Sequence, residues 1–283
     1  MRRPARIWMA ALVLTMPAMV SAQAWRTVSA ERQPREIDTL RVRVDYTVGA
    51  LSIGSTTDSV LYRSRLRYDA DRFEPVRTFD LASNTLRMGV RGDADVPLRI
   101  GGGSEEGTLA LDLTRKHPVD LHIDLGATNA VIDLSGLAVS RLAINSGASE
   151  ITLRFGAANP IVMQELAIDA GVARLEIQKL GNANAERVRI TGGAASVDLD
   201  LSGAWQGDRE LQVALTFGAA TIRVPRGTAV SVKHSRVLGT FDSAGLAQRG
   251  GVHVSDDWDT ADKRLIIDAR TTFGTLNLQW IVE

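Results

Sequence analysis

Apolar and polar residues alternate along most of the chain, in short runs that share a common phase. Five glycines followed by small residues punctuate these runs: Gly126-Ala127-Thr128, Gly147-Ala148-Ser149, Gly171-Val172-Ala173, Gly193-Ala194-Ala195 and Gly218-Ala219-Ala220. The steps between them are 21, 24, 22 and 25 residues. Positions three and five before each glycine are aliphatic, as in Leu121 and Ile123 or Leu142 and Ile144, and positions four and six after it are apolar, as in Ala130 and Ile132 or Ile151 and Leu153. Alternation of period two predicts strands with one buried face. The inward parity is odd before the glycine and even after it, so a bend or bulge is expected there, where the absence of a Cβ is an advantage. Gly49 and Gly274 fit the motif in part, which gives seven expected corners: Gly49, Gly126, Gly147, Gly171, Gly193, Gly218 and Gly274.

A shared period and a shared glycine phase predict an all-β solenoid of stacked coils, each with two strands and a turn in about 23 residues. An antiparallel sandwich would alternate similarly but would need neither feature. Two positions before the glycines stand Thr47, Asp124, Asn145, Asp169, Thr191, Thr216 and Thr272, all short polar residues able to bond nearby backbone amides. They are expected to form a column that caps successive corners. Outward positions also set Glu150 beside Arg174 and Asp133 beside Arg154 on adjacent rungs.

The flanks depart from the repeat. Residues 36–100 read as an N-terminal β region, with strands at Leu40–Val44, Leu66–Asp69, Phe79 and Leu86–Met88. Residues 101–107 form a Gly-rich loop without the lysine of a phosphate cradle. The coils and their closing strands are expected over 108–283, with the period broken between 240 and 264. Residues 1–24 carry Arg2, Arg3 and Arg6, then an apolar stretch from Ile7 to Val20, then Ala22-Gln23-Ala24. This is the layout of a signal peptide, cleaved after Ala22 or Ala24, with 25–35 as a linker. The apolar stretch contains Pro17 and falls short of the roughly 20 residues that span a bilayer. The expected product is exported, periplasmic or extracellular, with no transmembrane helix in the mature chain.

Composition narrows the partners. The 33 basic and 33 acidic residues give zero formal charge. Without the three arginines of the signal, 30 basic residues face 33 acidic ones. A body that weakly acidic has no electrostatic footprint for nucleic acid. The lack of cysteine excludes a disulfide scaffold, thiolate metal sites and a cysteine nucleophile.

Taken together, the corner motif, Leu66-Arg-Tyr-Asp69 ahead of Pro75, the unit from Pro118 to Gly126, Ile222-Arg-Val-Pro-Arg-Gly227 and Gly251-Val-His-Val-Ser255 with Trp258 resemble the toast-rack domain. That domain also occurs in the extracytoplasmic part of LiaF-like cell-envelope stress proteins. The resemblance implies a right-handed, single-stranded β-helix-like fold and a noncatalytic sensing or adhesive role at the envelope. It transfers no functional residues.

The chemical candidates are weak. Asp120, His122 and Asp124 share one strand face, but alternate Cα atoms lie roughly 6.8 Å apart, so the three converge poorly on one metal ion. Asp256, Asp257, Asp259 and Asp262 surround Trp258 without the spacing or glycine of a helix-loop-helix calcium site. No Gly-x-Ser-x-Gly elbow is present, and the histidines are His117, His122, His234 and His253. No catalytic residue and no cofactor is therefore expected. The leading function is a binding or scaffold module that contacts an envelope protein or a surface glycan; the alternative is a carbohydrate-active β-helix enzyme.

Overall fold

The alternating runs become strands that stack in parallel through their backbone hydrogen bonds. The computed structural model describes residues 24–57, 59–92, 106–204, 206–243 and 245–282. The expected signal, apart from Ala24, and positions 101–105 of the Gly-rich loop lie outside them. Fifteen strands form one sheet: β1 (Trp25–Arg32), β2 (Leu40–Ser55), β3 (Tyr62–Asp69), β4 (Phe73–Asp80), β5 (Thr85–Gly92), β6 (Thr108–Leu113), β7 (Val119–Asp133), β8 (Val139–Arg154), β9 (Met163–Gln178), β10 (Ala185–Asp200), β11 (Arg209–Pro225), β12 (Ala229–Asp242), β13 (Ala247–Arg249), β14 (Val252–Val254) and β15 (Arg264–Ile281). The fold is all-β and solenoid-like.

Its spine is the parallel series β2, β7, β8, β9, β10, β11, β15, β12. Two short strands per unit were expected, yet each unit is one long strand bent at its corner. Pairing between β7 and β8, for example, runs from Leu121↔Leu142 before the corner to Ile132↔Leu153 after it. Backbone groups at the bend thus stay close to the neighbouring rung, which limits the polar cost of turning.

Two apolar columns follow from this register. Before the corner Val42, Leu121, Leu142, Leu166, Val188, Leu211, Ile267 and Val232 lie in line; after it come Ile53, Ile132, Leu153, Ile177, Leu199, Ile222 and Leu278. All are buried. Each such side chain contributes about 1.5–3 kcal/mol relative to exposure, so these columns outweigh the exposed ion pairs, worth about 0–1 kcal/mol each.

Loops close the remaining side of the core through buried Leu134, Leu137, Phe155, Leu180, Ala183 and Leu201. Buried Asn159 ties three of them. Its Nδ2 donates to the carbonyls of Val139 at 2.8 Å and Ala183 at 3.1 Å, while its Oδ1 accepts from the amide of Val139 at 3.2 Å. Bonds of this kind let loop backbone approach the core without orphaned polar groups.

The stack has unlike ends. The open side of β2 is covered in two halves, by β5 along Arg41–Asp45 and by β6 along Ala50–Ser55. Behind them stand β4 and the antiparallel pair β3 and β1. Two expected boundaries shift here. Residues 25–32, expected within a linker, form β1 because Val28 and Ala30 pack against the core and the strand pairs with β3 along its length. Residues 108–113, expected to open the coils, form β6 and cover the N-terminal region instead. At the other end the last long strand, β15, lies between β11 and β12, and β14 meets β12 only at Ser231 and Val232.

Candidate functional site

At the corners the backbones of adjacent rungs approach closely, and this approach determines which residues fit. Gly126, Gly147, Gly171 and Gly193 form one line. A Cβ at Gly171 would lie 2.8 Å from the carbonyl oxygen of Gly147, and one at Gly193 would lie 2.6 Å from that of Gly171. Crowding by the previous carbonyl, rather than an unusual φ, thus favours glycine in this line, least at Gly147, where the distance is 3.1 Å. Gly218 differs. It pairs with Ala195 and Gly274, which in turn pairs with Gly239, and its φ of +132° is one that side chains rarely adopt. The corner glycine therefore steps two positions along the strand between β10 and β11.

This step, and a like one between β2 and β7 where Gly49 pairs with Thr128, divide the expected capping column. Asp124, Asn145, Asp169 and Thr191 stand in register, joined by Asp45 on β2. Thr47, Thr216 and Thr272 fall instead into the line of Gly126 and Gly193: Leu215 and Phe217 pair with Gly192 and Ala194, which sets Thr216 opposite Gly193. Asp45 escaped sequence reasoning because Gly49 was aligned with Gly126, whereas Gly49 pairs with Thr128.

Asp45, Asp124, Asn145 and Asp169 line an open groove of about 370 Å³ that crosses four rungs, with Thr47, Gly126, Ser146 and Gly147 along its floor and walls. Asp124 is held on two sides. Asn145 Nδ2 donates to its Oδ1 at 2.7 Å, and His122 Nε2 lies 3.0 Å from its Oδ2. The Asp45 carboxyl is pushed above its ordinary range, first by burial, then by the charge of Asp124 and a hydrogen bond to it; His122 and Arg87 oppose the shift. The groove thus offers a row of hydrogen-bonding groups at rung spacing, roughly 4.8 Å.

The other candidates are dispersed. Asp120 pairs in register with Arg41 and Arg141, away from the contact between His122 and Asp124. In the second acidic cluster Asp257 accepts from Ser255 Oγ at 2.6 Å, and Asp259 pairs with Arg249 at 2.7 Å, while Asp256 and Asp262 are exposed or nearly so. Among the described residues no three His, Cys, Asp or Glu side chains are grouped to hold a metal ion. Asp133 and Arg154 are register neighbours, as are Glu150 and Arg174, but Arg154 Nε donates to Gln178 and Asp133 accepts from Ser135. Arg154 thus turns to its register neighbour on β9 instead of the one on β7, and Asp133 to the turn that follows it.

A second outward feature was not anticipated. Beside the corner, Ala148, Val172, Ala194, Phe217, Phe273 and Leu238 form one register line. The rings of Phe217 and Phe273 stack at 5.0 Å, and both are exposed. The available signal was the large apolar residue directly before Gly218, Gly239 and Gly274, where Gly147, Gly171 and Gly193 follow Ser146, Ala170 and Gly192.

The family model for the N-terminal domain of toast_rack (DUF2154) matches residues 20–178, more than half of the chain. The chain belongs to the toast-rack family. Its parallel register continues past the matched residues through β10 and β11 without a change of direction. Among solved structures, a candidate cell adhesion protein from Clostridium sporogenes is 13% identical, with 91% of this toast-rack chain and 100% of that chain covered and a TM-score of 0.53. That likeness establishes a shared fold. A candidate adhesin from Bacteroides fragilis, also 13% identical, covers 89% of this chain and 97% of its own at a TM-score of 0.43. No curated protein sequence matches the chain. Among the described residues no helix is long and apolar enough to cross a membrane.

Proposed function

We propose that this toast-rack chain is an exported, noncatalytic binding module that adheres to a surface glycan through its corner groove. The row of Asp45, Asp124, Asn145 and Asp169 across four rungs carries this reading. An extended polyhydroxy ligand laid along the stack meets a hydrogen-bonding group at each rung, and the parallel backbone fixes their spacing. Asp124, already engaged by His122 and Asn145, acts as an oriented acceptor. Export rests on the basic start and short apolar run of residues 1–24. Each bent strand with its loop is one turn of a right-handed, single-stranded β-helix, a handedness supported by the strong preference of parallel crossovers for it.

Calorimetric titration of the exported chain with solubilised envelope polysaccharide tests the proposal. Binding weakened about tenfold by Asn145→Ala and unchanged by Ser196→Ala, on a later rung away from the groove, is the expected result. Cleavage of the polysaccharide, abolished by Asp124→Asn, overturns it in favour of an enzyme.

A further inference from the structure

A second cavity, of about 420 Å³, opens at the far ends of β8 to β11, on the other arm of the bend from the groove. Arg154, Glu176, Gln178, Lys179, Asp200 and Arg223 line it. Register brings them together, since Arg154 pairs with Gln178 and Asp200 with Arg223. The strand from Gly147 at the corner to Arg154 covers roughly 23 Å, so the two recesses are separate.

Three cations and two acids face this space, and the acids are already engaged. Asp200 Oδ1 accepts from the amide of Ser202 at 2.9 Å, and its Oδ2 accepts from the amide of Lys179 at 3.4 Å. Glu176 Oε1 accepts from Gln178 Nε2 at 2.6 Å. Arg223 is neutralised by Asp198, which it meets through both Nη atoms at 2.9 and 2.6 Å. Arg154 is treated differently. The acid Asp133 is its register neighbour on β7, yet Asp133 accepts from Ser135, and Arg154 Nε donates to the uncharged Gln178 at 2.8 Å. Arg154 Nη1 and Nη2 and the Lys179 ammonium have no partner among the described residues. Lys179 also sits at φ +55°, a left-handed conformation that asparagine adopts more readily than lysine, as Asn184 does at the other end of the same turn. A position suited to asparagine or glycine thus carries a charge, beside a cavity whose uncommitted charges are all positive.

We propose that this cavity binds a carboxylate carried by a polyhydroxy ring, as in a sugar acid, with the carboxylate held between the Arg154 guanidinium and the Lys179 ammonium. The Nη edge of Arg154 offers two parallel N–H donors that match the two carboxylate oxygens, and Lys179 adds a charge-assisted bond. The lining holds one more cation than acid, which suits a monoanion. The remaining lone pairs of Glu176 and Asp200 accept from ring hydroxyls, which a simple alkyl carboxylate lacks. The volume is that of a small-molecule site. The inference is independent of the corner groove, where Asp45, Asp124 and Asp169 repel a carboxylate.

Heteronuclear NMR spectra of the exported chain, titrated with D-glucuronate at low salt, test the proposal residue by residue. The resonances of Gly156, Gln178 and Lys179 should shift and saturate with a dissociation constant of about 1 mM, and glucose, which has no carboxylate, should bind about tenfold more weakly or worse. Lys179→Asn keeps the left-handed turn and removes the charge. It should leave the melting temperature unchanged and weaken glucuronate binding about tenfold, as should Arg154→Gln. Arg174→Gln, which removes an exposed cation of β9 outside the cavity, should change the affinity less than about twofold. An unmoved cavity at about 20 mM glucuronate overturns the proposal. Equal affinity for glucose or acetate overturns it as well, as does undiminished binding by Lys179→Asn and Arg154→Gln.

Discussion

The first and last rungs of the spine share a backbone and differ in almost everything built on it. From β7 to β10 the strands follow chain order, the corner glycines stand in one line, and the outward residues beside the corner are the smaller Ala148, Val172 and Ala194. From β11 onward the glycine moves two positions, β15 enters between β11 and β12, and phenylalanine and leucine replace the small residues. Because the move is by two, inward parity is preserved and the core columns continue unbroken. The outer surface alone changes, from a hydrogen-bonding groove to an apolar line. A solenoid can thus alter what it presents while keeping how it stacks.

The strongest test of that comparison is the glycine step. At Gly218 a side chain would meet the carbonyl of Ala195 and would also need a φ of +132°, whereas at Gly147 a Cβ would lie 3.1 Å from the Gly126 carbonyl at an ordinary φ. Gly218→Ala should cost about 3 kcal/mol or more, and Gly147→Ala less than about 1.5 kcal/mol. Urea denaturation of both variants measures the difference. Equal losses would mean that the two glycine lines meet the same constraint and that the step has no energetic identity.

A smaller loss is expected at Asn159, which serves the chain-ordered rungs only. Asn159→Ala removes the bonds to Val139 and Ala183 and leaves buried carbonyls without their donor. The cost should be about 2–3 kcal/mol. Hydrogen exchange would localise it: amides of β8 and β10 should exchange faster, and those of β12 and β15 should keep their rates. Uniform acceleration would show that the spine unfolds as one unit despite the difference between its parts.

Sequence made the core legible because burial imposes a strict period, and the inward residues around all five glycines lie in the columns that the alternation implied. The glycine at each corner carried less information than it suggested. A glycine can answer a close carbonyl alone, as at Gly193, or a close carbonyl together with a positive φ, as at Gly218, and the motif looks the same. Aligning all seven glycines therefore shifted Thr47, Thr216 and Thr272 by two positions and hid Asp45, the residue that begins the groove row. The place of β15 was equally hidden, since periodicity marks a strand's faces but not its neighbours. The two-part cover over β2 depends on long-range pairing of β5 and β6, for which alternation holds no signal.

The smallest expected effect separates the two ends by pH. At the first rung, burial and Asp124 raise the Asp45 carboxyl above its ordinary value of 3.8. The native state then holds that proton more tightly than the unfolded chain, so stability falls as pH rises from 3.8 through the raised value. At the last rung, burial first, then the charges of Arg236 and His253, lower His234 below its ordinary 6.5, while Thr271 bonds its Nε2 at 3.0 Å. The unfolded chain protonates there first, and stability is lost as pH falls from 6.5 through the lowered value. Asp45 is exposed and His234 half-buried, so solvent screening keeps each effect within about 1 kcal/mol. Asp45→Asn should flatten the acidic window alone, and His234→Gln the window nearer neutrality alone, in urea midpoints measured from about pH 3 to about pH 8. If either substitution flattened both windows, the two ends would be coupled through the spine, and the polar and apolar surfaces would respond to acid as one.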